Sequence, residues 1–197
     1  MAEFETAYYL TNKIEAGYAN DPDDKGGETY RGWSRKAHPD WKGWDVIDEV
    51  KSKAKNIDEI NHLLDNNEEI QRLLKIGYKT EYWDKIQGDS IPDQQIANEV
   101  YDNAVHMGVE TSSRYLQRTL NMLNRNQKYY NDIKVDGLIG SRQTLPVLGL
   151  CIKLNGVQRI VNVINGFQFK HYIERMEEDR TQEKYIGWFD RVEVVWN

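Results

Sequence analysis

A glutamate in the last turn of the first predicted helix, followed by a loop rich in carboxylates, is the part of the sequence best suited to chemistry. Glu15 would lie at the negative end of the helix dipole, which disfavours the ionised form and should raise the pKa of its carboxyl group. A general acid needs a carboxyl group whose pKa is raised in this way. Cleavage of a glycosidic bond uses one carboxylic acid to protonate the leaving oxygen and commonly a second carboxylate across the sugar. Asp21, Asp23 and Asp24 are the candidates for that second role.

The same region offers a hydroxyl group and aromatic rings. Thr29 could position the attacking water, and the rings of Tyr18 and Tyr30 could stack on sugar faces because an aromatic ring pairs an apolar face with a polar edge. Each candidate also has a structural interpretation. Aspartates in Gly/Pro-rich loops commonly make turns, a threonine can cap a strand, most aromatic side chains lie in cores, and a single glutamate at a helix end is usually solvated. The residue types alone leave these alternatives open.

A mostly helical chain must position this region. Apolar residues at helical spacing predict a first helix over residues 3–16. The stretch 17–44 contains five glycines and two prolines, and we interpret it as a long loop with short strands. Asn66, with Glu69 three residues later, is the predicted N-cap of one later helix. The further predicted helices cover residues 57–64, 66–83, 92–107, 112–123, 142–153 and 156–179.

Residues 15–32 also form one long pattern, Glu15-x-Gly17-Tyr18-x-Asn20-Asp21-Pro22-x-Asp24-x-Gly26-Gly27-x-Thr29-x-x-Gly32. This pattern resembles the signature of glycoside hydrolase family 108. The resemblance covers nearly the whole chain, because it continues through Tyr82-Trp83, Asp102-x-Ala104-Val105-x-x-Gly108, Leu116-Gln117, Asp136-Gly-x-Ile-Gly140 with Thr144, and Gly187-Trp188-x-x-Arg191. The chain departs from the family at Ala16, at Arg31-Gly32-Trp33-Ser34 and at His106, where Gly, Phe-Gly-Ile-Thr and Asn are usual.

The resemblance implies an α+β, mostly α, lysozyme-like fold and the activity of a phage- or prophage-type lysozyme. Such enzymes cut the linkage between N-acetylmuramic acid and N-acetylglucosamine in peptidoglycan. The catalytic glutamate of the family maps onto Glu15, and we expect Asp24 and Thr29 to complete the catalytic set. The separation of these three residues also nearly matches that of phage-type lysozymes, with one residue fewer before the threonine.

Four residues are the expected substrate contacts. Tyr18 and Tyr30 are expected from their positions beside the loop, whereas Asp102 and His106 belong to the resembling pattern at 102–108. The expected partner is the glycan strand of peptidoglycan. Two alternatives remain: a lytic transglycosylase that uses one glutamate as acid and then base, and a non-catalytic wall-binding or secretion-assisting protein, since some members carry the label secretion activator.

The predicted organisation is a single lysozyme-like domain over residues 1–197. Residues 1–93 would form the catalytic segment, and residues 94–197 a helical segment that resembles the family's predicted peptidoglycan-binding region. The sequence contains no internal repeat and no linker long enough to divide it.

Composition and charge exclude several other functions. The chain has 26 Lys and Arg against 32 Asp and Glu, a net charge of −6, with its basic residues scattered, so nucleic acid is not an expected partner. No apolar stretch approaches the roughly 20 residues needed to span a bilayer, so no membrane insertion is expected. The N-terminus lacks the features of a secretory signal. We therefore expect cytoplasmic synthesis, action in the periplasm or cell wall after release by a holin or a similar route, and a monomer.

Neither a metal nor a cofactor is expected. Asp21-x-Asp23-x-x-Gly26 begins like a calcium-binding EF-hand loop, but Lys25 and Gly32 occupy the fifth and twelfth positions, where ligands are required. The four histidines lie far apart without a metal-binding spacing, and Cys151, the one cysteine, has no partner for a disulfide within the chain.

Overall fold

The computed structural model describes residues 1–12, 17–20 and 27–192. It is mostly helical, with one small antiparallel sheet, which confirms the predicted α+β, mostly α class. A short sheet that follows the first helix and precedes a set of longer helices is the arrangement expected of the lysozyme-like fold. The described residues divide into two compact units: residues 8–81, here the N-terminal unit, and residues 1–7 together with residues from 82 onward, here the C-terminal unit.

The N-terminal unit is built on a three-stranded sheet. Helix α1 (Phe4–Asn12) leads to strands β1 (Tyr18–Asn20), β2 (Glu28–Tyr30) and β3 (Trp33–Ser34), which pair in antiparallel order with β2 in the centre. Arg31 and Gly32 form the two-residue turn between β2 and β3, with φ of 46° and 77°. Two consecutive positive φ values match the twist of a tight hairpin. The predicted loop with short strands is therefore correct for its described part.

Three helices cover this sheet. They are α2 (Gly43–Lys53), α3 (Ile57–Asp65) and α4 (Glu68–Tyr78), and each packs against the other two. Their inward side chains form the core with the strand residues. The fully or nearly fully buried members include Trp33, Trp44, Ile47, Leu64, Ile70, Leu74 and Tyr78.

Side-chain caps determine where two of these helices begin. Asn56 accepts a hydrogen bond from the Glu59 amide at the start of α3, and Asn67 accepts one from the Ile70 amide at the start of α4. Each cap satisfies an amide that has no partner inside its helix. The predicted cap at Asn66 was therefore wrong by one residue.

The C-terminal unit is a helical bundle. After a π-helical turn (Lys79–Trp83) and a 3₁₀ turn (Gly88–Ser90), it contains α5 (Gln94–Met107), α6 (Val109–Leu123), α7 (Thr144–Asn155), α8 (Val157–Glu178) and a 3₁₀ segment (Arg180–Arg191). Helix α5 packs against α6 and α8, and the 3₁₀ segment packs on α8. Its core includes an aromatic cluster in which the rings of Phe4, Trp83 and Tyr101 lie 5.8–6.0 Å apart.

No single helix in the described ranges is both long and apolar enough to cross a membrane. Helices α7 and α8 meet the length and composition criteria only as a pair, and they are bent by 114° at the break between them.

Candidate functional site

The structure describes only one of the three predicted catalytic residues. Glu15 and Asp24 lie outside the described residues, and so do Asp21 and Asp23. Thr29 lies in the middle of the central strand β2, opposite Ala19 on one side and Ser34 on the other, and it is half-buried. The threonine is therefore held on a hydrogen-bonded strand rather than in a loop, which fixes the position of its backbone.

A carboxylate beside Thr29 organises one end of this sheet. The side chain of Glu28 is only 11% exposed, and its oxygens accept a hydrogen bond from the Tyr18 hydroxyl and pair with Lys51 and Arg35, each at 2.7 Å. Arg35 also makes two bonds to Asp48, at 3.1 and 2.7 Å. We call these five residues the Glu28 cluster. It ties β1 and β2 to helix α2.

The electrostatics of the Glu28 cluster favour its charged form. Burial alone would lower the pKa of Lys51, but its hydrogen bonds and the negative charge of Glu28 outweigh burial and raise that pKa. The hydrogen bond from Arg35 lowers the pKa of Asp48. Burial raises the pKa of Tyr18, and its bond to Glu28 acts in the same direction, so this phenol stays protonated as a donor. The cluster is thus a charged, hydrogen-bonded clamp at neutral pH.

Removal of the charge at Glu28 should destabilise the protein. We expect Glu28→Gln to lower the free energy of unfolding by about 1–3 kcal/mol, because Lys51 and Arg35 would lose their charged partner at a half-buried site. Urea denaturation measures this. Glu49→Gln is the matched control, since Glu49 pairs with Lys53 on the surface and should show no measurable change. An unchanged urea midpoint for Glu28→Gln would contradict a clamping role.

Both predicted sugar-stacking tyrosines are core residues. Tyr18 is 7% exposed and Tyr30 is 0% exposed. The Tyr30 hydroxyl accepts a hydrogen bond from Gln71 and contacts Asp65, which also pairs with Arg31 at 2.9 Å. Stacking on a sugar needs an accessible ring face, and neither ring presents one here. Their role as substrate contacts stays a prediction that would require these faces to become accessible.

An aromatic cavity does occur elsewhere in the N-terminal unit. It has a volume of about 470 Å³. His38 stacks on Trp33 with ring centres 3.9 Å apart, and Trp41 lies next to Trp33 at 5.8 Å. Trp33 is one of the positions where the chain departs from the family pattern, and its ring is almost fully covered. The imidazole of His38 and the indole of Trp41 line this cavity, together with residues of α4 and its C-terminal end.

The other two predicted substrate contacts, Asp102 and His106, lie together on α5 in the C-terminal unit. Nη1 of Arg191 lies 2.6 Å from Nε2 of His106, and Oδ1 of Asp102 lies 3.3 Å from the same nitrogen. Gln168 donates to Oδ2 of Asp102 at 3.1 Å.

Asp102 is therefore an internal anchor. Its burial acts to raise the pKa of the carboxyl group, but the neighbouring His106 ring, the amide of Gln168 and the charge of Arg191 favour the carboxylate and lower that pKa. Arg191 belongs to the 3₁₀ segment, so its contact with His106 holds this segment against α5, and the bond from Gln168 joins Asp102 to α8. Contact of Asp102 and His106 with substrate stays a prediction.

A cavity with a volume of about 560 Å³ lies beside this anchor. Sequence reasoning did not identify it, apart from His106, because its residues come from α5, α8 and the 3₁₀ segment, which are far apart in the sequence. The lining residues are His106, Met107, His171, Tyr172, Arg175, Gln182, Tyr185 and Trp188.

The resembling motif around Asp136 forms a packed turn. Nε2 of Gln117 donates to Asp136 at 2.8 Å and to the Leu138 carbonyl at 3.0 Å, and Oε1 of Gln117 accepts from the Gly137 amide at 2.9 Å. Oδ1 of Asp136 also accepts from the Leu138 amide. Gln117 is fully buried. Its amide therefore satisfies the backbone of the turn from helix α6.

A substitution at Gln117 should reveal this structural role. We expect Gln117→Leu to lower the free energy of unfolding by about 2–3 kcal/mol, because the apolar side chain would leave buried backbone groups of the turn without partners. Thermal or urea denaturation measures the loss. Arg118→Leu, at the adjacent exposed position on α6, is the control. Equal stability of the two variants would show that the motif does not hold this turn.

No group of three or more His, Cys, Asp or Glu side chains that could hold a metal ion occurs within residues 1–12, 17–20 and 27–192.

Comparisons with known proteins divide the chain into two regions. The family model described as Glycosyl hydrolase 108 matches residues 9–108, which is half of the chain, and the model described as Predicted Peptidoglycan domain matches residues 111–193. Among solved structures, SagA of Brucella abortus is similar, with 20% sequence identity and a TM-score of 0.49 over 94% of this chain and 95% of that chain. No curated relative matches.

Proposed function

Because the chain belongs to glycosyl hydrolase family 108, we propose that it is an N-acetylmuramidase of the lysozyme type, with Glu15 as its general acid. The two family matches support a peptidoglycan-acting glycosidase, and they are the observation that carries the proposal. The match over residues 9–108 includes the whole Glu15 to Gly32 pattern. The adjoining match to a peptidoglycan domain supports peptidoglycan as the substrate.

The proposed mechanism assigns one role to each catalytic candidate. Glu15 protonates the oxygen of the leaving sugar, Asp24 activates water or stabilises the developing positive charge, and Thr29 positions the water. The place of Thr29 on the central strand supports its role, since a residue on a paired strand is held more precisely than one on a loop.

The contacts of Glu28 support Asp24 as the second carboxylate. Glu28 is adjacent to Thr29 and is the carboxylate that the described strands carry. Its oxygens are already bound by Tyr18, Lys51 and Arg35. A carboxylate whose two oxygens already contact two cations and a phenol is not available to activate a water or to attack a sugar. We therefore assign Glu28 to the scaffold and Asp24 to the chemistry.

Analysis of released fragments tests the proposal. Purified peptidoglycan incubated with the protein should yield fragments that end in a reducing N-acetylmuramic acid, which mass spectrometry identifies. Anhydro-muramic ends would identify a lytic transglycosylase instead. An absence of released fragments, with the protein still bound to peptidoglycan, would identify a non-catalytic wall-binding protein.

Substitutions at the two supporting residues should reduce turnover without abolishing it. We expect Asp24→Asn and Thr29→Ala each to lower kcat by about 10- to 100-fold, because a water molecule that loses one positioning group can still be held in part by others. Rates of fragment release measure the effect. Full activity of Asp24→Asn would favour a mechanism in which one glutamate acts alone.

A further inference from the structure

The cavity beside Asp102 and His106 has the size of a ligand site. Its volume of about 560 Å³ falls within the range of roughly 300–1,000 Å³ that is typical of small-molecule sites. It lies wholly within the C-terminal unit. Most of its lining also lies within the residues that match the peptidoglycan domain model.

The cavity lining carries one permanent charge, and this charge is positive. Among its described lining residues, Arg175 alone carries a side chain that is charged at every ordinary pH. Within the described residues, the guanidinium of Arg175 makes no side-chain hydrogen bond and no ion pair, whereas two other cations of α8 and the 3₁₀ segment are paired with glutamates. Lys170 pairs with Glu174 at 2.8 Å, and Arg180 pairs with Glu183 at 3.0 Å. The N–H groups of the Arg175 guanidinium can therefore donate hydrogen bonds to a ligand in the cavity.

His171 adds a donor without adding charge. Burial lowers the pKa of His171, and the charge of Arg175 acts in the same direction, against smaller contributions from Glu174 and Glu178, so His171 is neutral at pH 7. The imidazole of His171 and the amide of Gln182 can each donate a hydrogen bond to an acceptor in the cavity.

The remaining wall is aromatic. Trp188 lies between Tyr172 and Tyr185, with ring centres 5.2 and 5.0 Å away. The side-chain amide of Gln168 donates a hydrogen bond of 3.0 Å to the Tyr172 hydroxyl, which holds this ring in place.

We propose that this cavity binds a carboxylate of the peptide stem of peptidoglycan, with Arg175 as the direct partner of that carboxylate. The inference rests on the proposed function for the choice of ligand. The stem peptide carries free carboxylates, and a guanidinium can bind a carboxylate through two parallel hydrogen bonds. The aromatic wall and the neutral donors suit the amides and sugar that adjoin the carboxylate. The cavity would thus hold the wall through its peptide, by residues other than those assigned to glycan cleavage.

Direct binding of a defined fragment tests this site. Isothermal titration calorimetry would use the full-length protein and muramyl dipeptide, which carries one free carboxylate and no glycosidic bond between sugars. We expect Arg175→Gln to weaken binding by about 10- to 100-fold, because a charge-assisted hydrogen bond is worth roughly 1.5–3 kcal/mol. Arg175→Lys should bind with intermediate strength, since it keeps the charge but loses the two parallel bonds.

The matched control is Arg159→Gln, which removes the same charge from an exposed site on the same helix and should bind like the unaltered protein. The methyl ester of muramyl dipeptide should bind as weakly as Arg175→Gln binds the free acid. NMR signals of His171 and of the Trp188 indole should move when the free acid is added. Equal affinity of the unaltered protein and Arg175→Gln, or of the free acid and its ester, would overturn the proposal.

This experiment is independent of turnover. Glu15→Gln should bind muramyl dipeptide with unchanged affinity even though it is expected to cleave nothing. A protein that binds muramyl dipeptide but does not cleave peptidoglycan would count against the glycosidase assignment alone. For Arg175→Gln, we expect weaker binding of muramyl dipeptide and unchanged cleavage of glycan strands.

Discussion

Glu15→Gln should lower the rate of peptidoglycan cleavage by at least about 1,000-fold, within the range that a positioned general acid contributes. The amide has the size of the carboxyl group and accepts hydrogen bonds in the same way, but it cannot deliver a proton to the leaving oxygen. A substitution that preserves shape should therefore remove chemistry and leave the fold unchanged. Release of muropeptides from purified cell walls measures the rate, and circular dichroism with thermal melting measures the fold.

Two controls make this result specific to Glu15. Glu49→Gln makes the same chemical change at an exposed position of the same unit and should keep full activity. Glu28→Gln should lose stability while it retains cleavage at temperatures well below its melting point. If the folded Glu15→Gln protein still lysed cell walls, the general acid would have to be another residue, and the assignment from the family pattern would fail.

Helix positions were the most predictable part of the fold. In α5, Ile96, Val100 and Ala104 recur at helical spacing and are all buried. The sequence also placed α3 and α8 to within one or two residues. Such helices bury one continuous apolar face, so their periodicity is visible in the sequence itself.

Helix α2 and the 3₁₀ segment were missed for different physical reasons. Helix α2 begins at Gly43, within a stretch whose glycines and tryptophans favoured a loop in the sequence analysis. Gly43 is required there because a Cβ atom would lie 2.1 Å from the ring of Trp41. The 3₁₀ segment has no buried residue within Arg180–Arg191. Its conformation depends on packing against α8, which no local pattern encodes.

The roles of the motif residues also depend partly on local sequence and partly on tertiary packing. The pattern identified Asp102, Gln117 and Asp136. It could not show that Gln117, on α6, donates a hydrogen bond to Asp136 in the turn. The pattern leaves the position between Gly27 and Thr29 unspecified, so it did not identify Glu28, although three side chains contact the carboxylate of this residue. Likewise, the binding role proposed for Arg175 depends on a cavity whose lining comes from three segments that are far apart in the sequence. A motif reports which residues matter together, whereas their partners depend on tertiary structure.

The last prediction concerns whether the catalytic segment can stand alone. A cut after residue 93 would remove α5, and with it Tyr101, whose ring lies 6.0 Å from Phe4 and 5.8 Å from Trp83. It would also remove Gln94, which accepts a hydrogen bond from the Glu3 amide at 2.7 Å. Helix α1 begins in the C-terminal unit and ends in the N-terminal unit, so the helix that leads toward Glu15 would lose the partners of its first turn.

We therefore expect a fragment of residues 1–93 to be poorly folded and inactive, and the full chain to melt in a single transition. A domain of this size is marginally stable even with its core complete, and here two rings of the cluster would lose their third member. Differential scanning calorimetry of the full chain, with circular dichroism and cell-wall lysis assays of the fragment, measures both outcomes. A fragment of residues 8–81, cut at the boundaries of the N-terminal unit, also lacks the first turn of α1 and residues 82–93, and its comparison with the 1–93 fragment shows whether those residues contribute to folding when α5 is absent. Two resolved calorimetric transitions, or a folded and lytic 1–93 fragment, would show that the catalytic segment is an independent domain.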